Sequence, residues 1–131
     1  MTPSFNLLDE PWIRVTRLNG ALDEVFLLSF FREATDIAGI HGEIASQDTA
    51  VLRLLLAICH RAMDGPEDLD AWEEYWRDPG SLGRDAIDHL KRHRERFDLH
   101  DPDRPFFQVA GIRMASGKRR EIGRASCRER V

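Results

Sequence analysis

The stretch WIRVTRLNGALDEVFLL, residues 12–28, decides how the chain begins to fold. Its first half is rich in residues that favour strands, and Ile13 and Val15 alternate with polar neighbours, as in a strand with one buried face. Asn19-Gly20 follows, which is the preferred pair for a two-residue type I′ turn because both turn positions need a positive φ. The stretch therefore predicts a β-hairpin whose return strand covers residues 21–28.

Between the hairpin and the centre of the chain, small polar residues and glycines predict short elements. Ser29 is a suitable N-cap for a short helix over residues 30–36. Gly39 and Gly42 indicate a loop after that helix.

The longest helix is predicted over residues 50–63, AVLRLLLAICHRAM, with Ser46 as its N-cap. Asp48 would complement the helix dipole in the first turn. The segment is apolar nearly all round, which is typical of a helix buried in a core. It is too short, and too interrupted by charged residues, to span a bilayer.

Two further helices and a strand are predicted after that core helix. Residues 69–77 place Trp72, Tyr75 and Trp76 at helical spacing, which favours core packing. A charged helix follows, from Ser81 or Leu82 to about residue 96, and residues 106–109 read as a short buried strand. We therefore expect an α+β fold in which the hairpin packs with several helices and a closing strand, within a truncated domain.

The composition is that of an ordinary globular protein, with 42% hydrophobic and 32% charged residues in 131. There is no basic start followed by an apolar segment, so nothing indicates export, and we expect a bacterial cytoplasmic protein. Residues 118–131 hold six of the 19 basic and two of the 23 acidic residues, which leaves 13 and 21 elsewhere. Residues 1–117 are therefore acidic overall, which argues against a broad phosphate-binding surface.

The last eleven residues, EIGRASCRERV at 121–131, look like the translation of a common sequencing adapter. A natural basic tail is the alternative interpretation. A segment of artefactual origin carries no information about the fold. We therefore expect residues 1–120 to be the native part of one incomplete domain.

Three segments resemble the CasA large-subunit family of type I-E CRISPR Cascade complexes. They are FNLLDEPWIRV at 5–15, SQDTAVLRLLLAICHRA at 46–62 and RFDLHDPDRPFFQVAG at 96–111. Their order and spacing agree with the family over nearly the whole chain before the suspect tail. The structural motif residues that carry the resemblance are Phe5, Asn6, Asp9, Trp12, Phe106, Phe107 and Gln108.

The resemblance implies part of a non-enzymatic subunit in RNA-guided DNA recognition, without a cofactor and without membrane association. In such systems the guide RNA reads the target sequence, while protein reads the short protospacer-adjacent motif. The implied partners are other Cascade subunits, guide RNA and target double-stranded DNA through the intact complex, and a recruited helicase-nuclease. The loops credited with reading the motif lie downstream of Gly111, so no base-contacting residue is assigned.

A basic run offers candidate contacts to the nucleic-acid backbone. It consists of Lys91, Arg92, Arg94 and Arg96. Clustered lysine and arginine side chains bind phosphates. The alternative is a solvated helix face balanced by neighbouring acidic residues.

Two other functions compete with the Cascade interpretation. The chain would be a stand-alone protein-interaction module if the motifs occur by chance. Closely spaced Asp98, Asp101 and Asp103 suggest a metal-dependent hydrolase, although Asp-Pro pairs mostly build turns. His89 and His93 are spaced to share a metal, but the surrounding cationic residues would repel a divalent ion.

Overall fold

The computed structural model describes residues 3–106, which form a small sheet and four helices. The elements in chain order are β1 (Ile13–Arg17), β2 (Leu22–Val25), α1 (Leu27–Arg32), a 3-10 turn (Ala34–Asp36), β3 (Ile37–Ile40), α2 (Ala45–Met63), α3 (Leu69–Arg77), α4 (Pro79–Arg92) and a second 3-10 turn (Arg94–Phe97). The predicted α+β class is confirmed. None of the helices in this part of the chain combines the length and hydrophobicity that crossing a bilayer requires.

The predicted hairpin is confirmed, with β1 and β2 antiparallel and Ile13 and Val15 buried. Its turn differs from the prediction, because the Arg17 N–H donates to the Ala21 carbonyl at 2.8 Å and leaves three residues in the loop. Gly20 has a φ of +85°, whereas Asn19 does not adopt a positive φ. The type I′ prediction is therefore wrong, and the loop is of the three-residue kind that ends in a left-handed glycine.

A third strand lies where a loop is predicted. β3 pairs antiparallel with β1, which gives the sheet order β2-β1-β3. Gly39 lies within β3, opposite Thr16. The hairpin thus supplies one edge strand, β2, and the central strand, β1, of a three-stranded sheet.

The helix α1 begins earlier than predicted, because the return strand ends at Val25 and Leu27 is already helical. Ser29 is not the N-cap. It lies in the first turn, where its hydroxyl accepts the Phe26 N–H at 3.0 Å and donates to the Phe26 carbonyl at 2.9 Å. Arg17 ties the hairpin to the end of α1 and to the 3-10 turn after it through Asp23, Glu33 and Asp36.

The predicted core helix exists as α2, but two of its predicted properties are wrong. Its N-cap is Ile44 rather than Ser46. Asp48 lies in the first turn as predicted, and it also accepts the Gly42 N–H at 2.6 Å and so holds the preceding loop. Only Leu55 and Ile58 are buried, whereas Leu52 and Leu56 are each 50% exposed, so α2 has an uncovered apolar side.

The helix α3 has the predicted bounds, and the Asp68 carboxylate caps it by accepting the Ala71 N–H at 2.9 Å. The predicted burial is wrong for its two tryptophans. Trp76 is 79% exposed and Trp72 is 39% exposed, whereas Tyr75 is partly buried. The aromatic side of α3 therefore lies at the surface.

The helix α4 joins the other elements into one core. It begins at Pro79, a favoured first helical position, and buries Ala86 and Leu90 completely. These side chains join Leu8, Val15 and Leu27 in the same apolar cluster. Of the predicted closing strand 106–109, residues 107–109 lie outside the described residues, and Phe106 donates its N–H to the Asp98 carbonyl at 3.0 Å.

Candidate nucleic-acid interface

The two outer motif segments meet at a short backbone junction. The Leu7 N–H donates to the Phe97 carbonyl and the Leu99 N–H donates to the Phe5 carbonyl, each at 3.0 Å. These bonds flank an isolated antiparallel bridge between Asn6 and Asp98. The junction places the N-terminal segment directly beside the end of α4.

The predicted structural motif residues lie around this junction. The Asn6 side chain accepts the Leu8 N–H at 2.9 Å and donates to the Arg94 carbonyl at 3.0 Å. The Trp12 indole donates to the Leu7 carbonyl at 3.0 Å. Phe106 stacks on Phe97 with ring centroids 5.2 Å apart. Phe107 and Gln108 lie outside the described residues.

The aspartates proposed for a hydrolytic site build turns instead. Asp98 accepts the Ser4 hydroxyl at 2.7 Å, the His100 N–H at 2.8 Å and the Phe5 N–H at 3.3 Å. Asp101 accepts the backbone N–H groups of Asp103 and Arg104 at 2.8 and 2.7 Å. Between residues 3 and 106, no three histidine, cysteine or acidic side chains converge as a metal site would require.

The basic run does not form one uniform surface. Lys91, Arg92 and Arg96 are exposed at the end of α4 and in the 3-10 turn after it. Arg94 is different, because its guanidinium is paired with the Asp9 carboxylate in the N-terminal segment. Arg94 therefore secures the junction, and the other three cations remain at the surface.

His89 and His93 lie together beside this basic end. Their ring centroids are 4.7 Å apart. Partial burial, followed by the positive charges of His93, Arg92 and Arg61, holds the pKa of His89 below its usual range. Arg61 comes from the last turn of α2, and its place at a predicted helix end is the only sign of it in the sequence.

Comparison with known proteins places the chain in a family. The family described as "CRISPR-associated protein Cse1" matches residues 6–125. The CasA/Cse1 protein of Thermus thermophilus is 39% identical over 109 residues, which is 82% of this chain and 21% of that protein. The crystal structure of Thermobifida fusca Cse1 superposes with a TM-score of 0.80 at 38% identity, over 88% of this chain and 22% of that one.

A chain of a CRISPR RNA-guided surveillance complex has the same fold, with a TM-score of 0.63 at 22% identity over 81% of this chain and 23% of its own length. This chain thus spans about a fifth of the length of the relatives it matches. Because the Cse1 match extends over most of the chain and identity to a relative reaches 39%, the chain belongs to the CRISPR-associated Cse1 (CasA) family.

Proposed function

We propose that this chain is the N-terminal region of the large subunit of a Cascade complex, an RNA-guided DNA-surveillance machine of the bacterial cytoplasm. Its role is non-enzymatic and supports recognition of the protospacer-adjacent motif and binding of target DNA. The observation that carries the proposal is the family match over residues 6–125. The similar fold of a chain in a CRISPR RNA-guided surveillance complex supports it further.

The partners follow from that role. They are the other Cascade subunits, the guide RNA and target double-stranded DNA within the intact complex, and a helicase-nuclease recruited to it. The gene should accordingly lie beside genes for the other Cascade subunits. A gene far from any CRISPR locus would instead favour the stand-alone interaction module.

Within this region, Lys91, Arg92 and Arg96 contact the phosphate backbone of target DNA. Their exposure at one end of α4 supports this role, since phosphate contacts need accessible cations. Arg94 is paired with Asp9 instead, and this pair secures the junction beside the surface.

The test is a double charge reversal, Arg92→Glu with Arg96→Glu, in the full-length large subunit assembled into its complex. Each lost phosphate contact lowers the slope of log affinity against log salt by about 0.9. We therefore expect weaker DNA binding and a slope that is smaller by about 1 to 2 in a titration between about 50 and 200 mM salt.

The matched control is Arg84→Glu at the other end of α4, where the exposed guanidinium pairs only with Asp78 among the residues described. Exposed pairs contribute little to stability, so this variant should bind DNA like the wild type. Unchanged affinity and salt slope in the double variant would remove the basic run from DNA binding.

We further propose that residues 121–131 derive from a sequencing adapter and that the native domain continues differently after Arg120. Similarity alone does not decide this, because the family match runs to residue 125. Sequencing the gene from genomic DNA past the codon for Arg120 tests the proposal. The same codons in genomic DNA would show a natural tail.

A further inference from the structure

We propose a phosphate-binding site between the C-terminal ends of α2 and α4, formed by Arg61, His89, Arg92 and His93, with a backbone phosphate of nucleic acid as its ligand. The inference rests on the proposed function and adds a second surface to it. This further contact lies on the side of α4 that faces α2, beside the basic run.

Helical geometry separates the basic run into two sides of α4. Successive residues turn by about 100°, so His93 lies about 40° from His89 and Arg92 about 60° from it. Lys91 lies about 200° from His89, on the opposite side of the helix. The 4.7 Å separation of the two imidazole rings confirms that His89 and His93 share one side.

The helix α2 brings a fourth cationic group to that side. α2 and α4 share the core cluster through Ile58 of α2 and Leu90 of α4. Arg61 follows Ile58 by three residues, and its charge acts on His89 together with that of Arg92. Side chains from two packed helices therefore converge at one place on the surface.

No acidic group is among those that set the pKa of His89. Asp85 of α4 accepts the Tyr75 hydroxyl of α3 at 3.5 Å. Arg92 donates to the Asp88 backbone carbonyl at 3.4 Å and, in the part of the chain described, forms no ion pair with the Asp88 carboxylate. On α2, His60 packs edge-on against Trp72 of α3. The remaining charged groups nearby are Asp64 after α2, Lys91 on the opposite side of α4, and Glu95 and Arg96 after α4. None of them is among the groups that set the pKa of His89.

A phosphate fits this set of donors better than other ligands. Guanidinium groups bind phosphate oxygens through two parallel hydrogen bonds, and protonated imidazoles add further donors. Two arginines would repel a metal ion from the histidine pair. A bound phosphate also favours the protonated form of His89, so affinity should rise as the pH falls towards the pKa of His89, which lies below the ordinary histidine value of about 6.5.

The test measures binding of a fluorescein-labelled target duplex to the assembled complex carrying the full-length large subunit. Arg61→Glu should weaken binding about tenfold, which corresponds to about 1.4 kcal/mol. Arg61→Lys, which keeps the charge, should retain most of the affinity. The matched control is Arg53→Glu, an exposed arginine two turns earlier on α2, which should bind within about twofold of the wild type.

A second measurement keeps the inference testable if Arg61→Glu disturbs folding. Wild-type binding should be several times tighter at about pH 6 than at about pH 8. The double variant His89→Gln with His93→Gln should lose that difference. Inorganic phosphate can also be added to compete with the labelled duplex. Equal competition in the wild type and in Arg61→Glu would argue against the site.

The outcomes separate this inference from the proposed function. If Lys91→Glu and Arg92→Glu weaken binding while Arg61→Glu behaves like Arg53→Glu, contact follows the basic run and the inference is wrong. If none of these variants changes affinity, salt slope or pH dependence, the proposed phosphate contacts fail as well.

Discussion

Asp98 is a side chain that joins the N-terminal segment to the loop after α4. It accepts hydrogen bonds from Ser4, Phe5 and His100, and so joins residues far apart in sequence. A hydrogen bond to a charged group contributes about 1.5–3 kcal/mol. Because few backbone hydrogen bonds hold the junction together, the hydrogen bonds to the Asp98 carboxylate contribute strongly to its stability.

Asp98→Ala should therefore open the junction more often. We expect the amide protons of Leu7 and Leu99, which form the two junction bonds, to exchange with solvent about tenfold faster. Asp98→Asn keeps an acceptor oxygen and should have a smaller effect. Asp103→Ala is the control, since only its backbone takes part in the neighbouring turn, and equal acceleration in this variant would contradict the assignment.

The same carboxylate gives the junction a dependence on pH. Burial acts to raise the pKa of Asp98, but the hydrogen bonds from His100, Ser4 and Phe5 outweigh it and lower the pKa. Because the pKa of Asp98 is lower in the folded protein than in the unfolded chain, the carboxylate stabilises the junction fully at pH values above the unfolded-state pKa of about 3.9. This stabilisation is lost as the pH falls through the folded-state pKa. The amide resonances of Leu7 and Leu99 should therefore shift together below pH of about 4 in an NMR titration, and in Asp98→Asn they should not.

At the level of elements, a single glycine sets how closely α4 approaches α1. A Cβ atom added at Gly83 would lie 2.7 Å from the Phe31 carbonyl oxygen, which belongs to the backbone at the C-terminal end of α1. That atom has no freedom to rotate away, so the helices would have to separate. Ala86 and Leu90 on the same helix are completely buried, and their packing would loosen with it.

Gly83→Ala should consequently destabilise the fold, although alanine is the better helix former by about 1 kcal/mol. We expect a net loss of about 1–2 kcal/mol in the free energy of unfolding, measured by urea denaturation followed by circular dichroism. Gly80→Ala in the same helix meets only the ends of the Arg84 and Asp78 side chains, and should be neutral or stabilising. A loss of equal size in both variants would mean that helix propensity, rather than the α1–α4 approach, controls the effect.

Elements that follow from local patterns were predictable, and those that depend on distant partners were not. Asn19-Gly20 predicts the hairpin and the aromatic spacing predicts α3, because both signals lie within the element. β3 was not predicted, because a glycine such as Gly39 is typical of a loop and its place in a strand depends on pairing with β1. The exposure of Trp76 was missed for a similar reason, since helical spacing does not say what covers a side chain.

The candidate site also combines features with a local signal and features that depend on distant partners. The basic run is visible in the sequence, yet the different role of Arg94 depends on Asp9, which is 85 residues away. Arg61 joins the histidines only because α2 packs beside α4. The sequence therefore indicates the region of the proposed site but not the side of the helix.

At the scale of the whole molecule, an apolar face remains uncovered on α2 and α3. We define it by Leu52 and Leu56 on α2 and Trp72 and Trp76 on α3, which are 39–79% exposed. His60 lies one turn after Leu56 and packs against Trp72 with ring centroids 6.3 Å apart, so the two halves are continuous. Exposed apolar patches of this kind favour association. The Thermus thermophilus relative is about four times as long as this chain, so in that protein further chain is present that could cover such a face.

The purified 131-residue chain should therefore self-associate through the apolar face. The triple variant Leu52→Gln, Leu56→Gln and Trp76→Gln should shift the chain towards monomer in sedimentation velocity at equal concentration, because it removes apolar surface that water already contacts. Its helix content should stay unchanged, since none of the three side chains belongs to the buried core. Leu22→Gln is the matched control, because this leucine is 70% exposed but lies on the hairpin. Association that persists in the triple variant, or that Leu22→Gln relieves equally, would show that α2 and α3 do not form the contact.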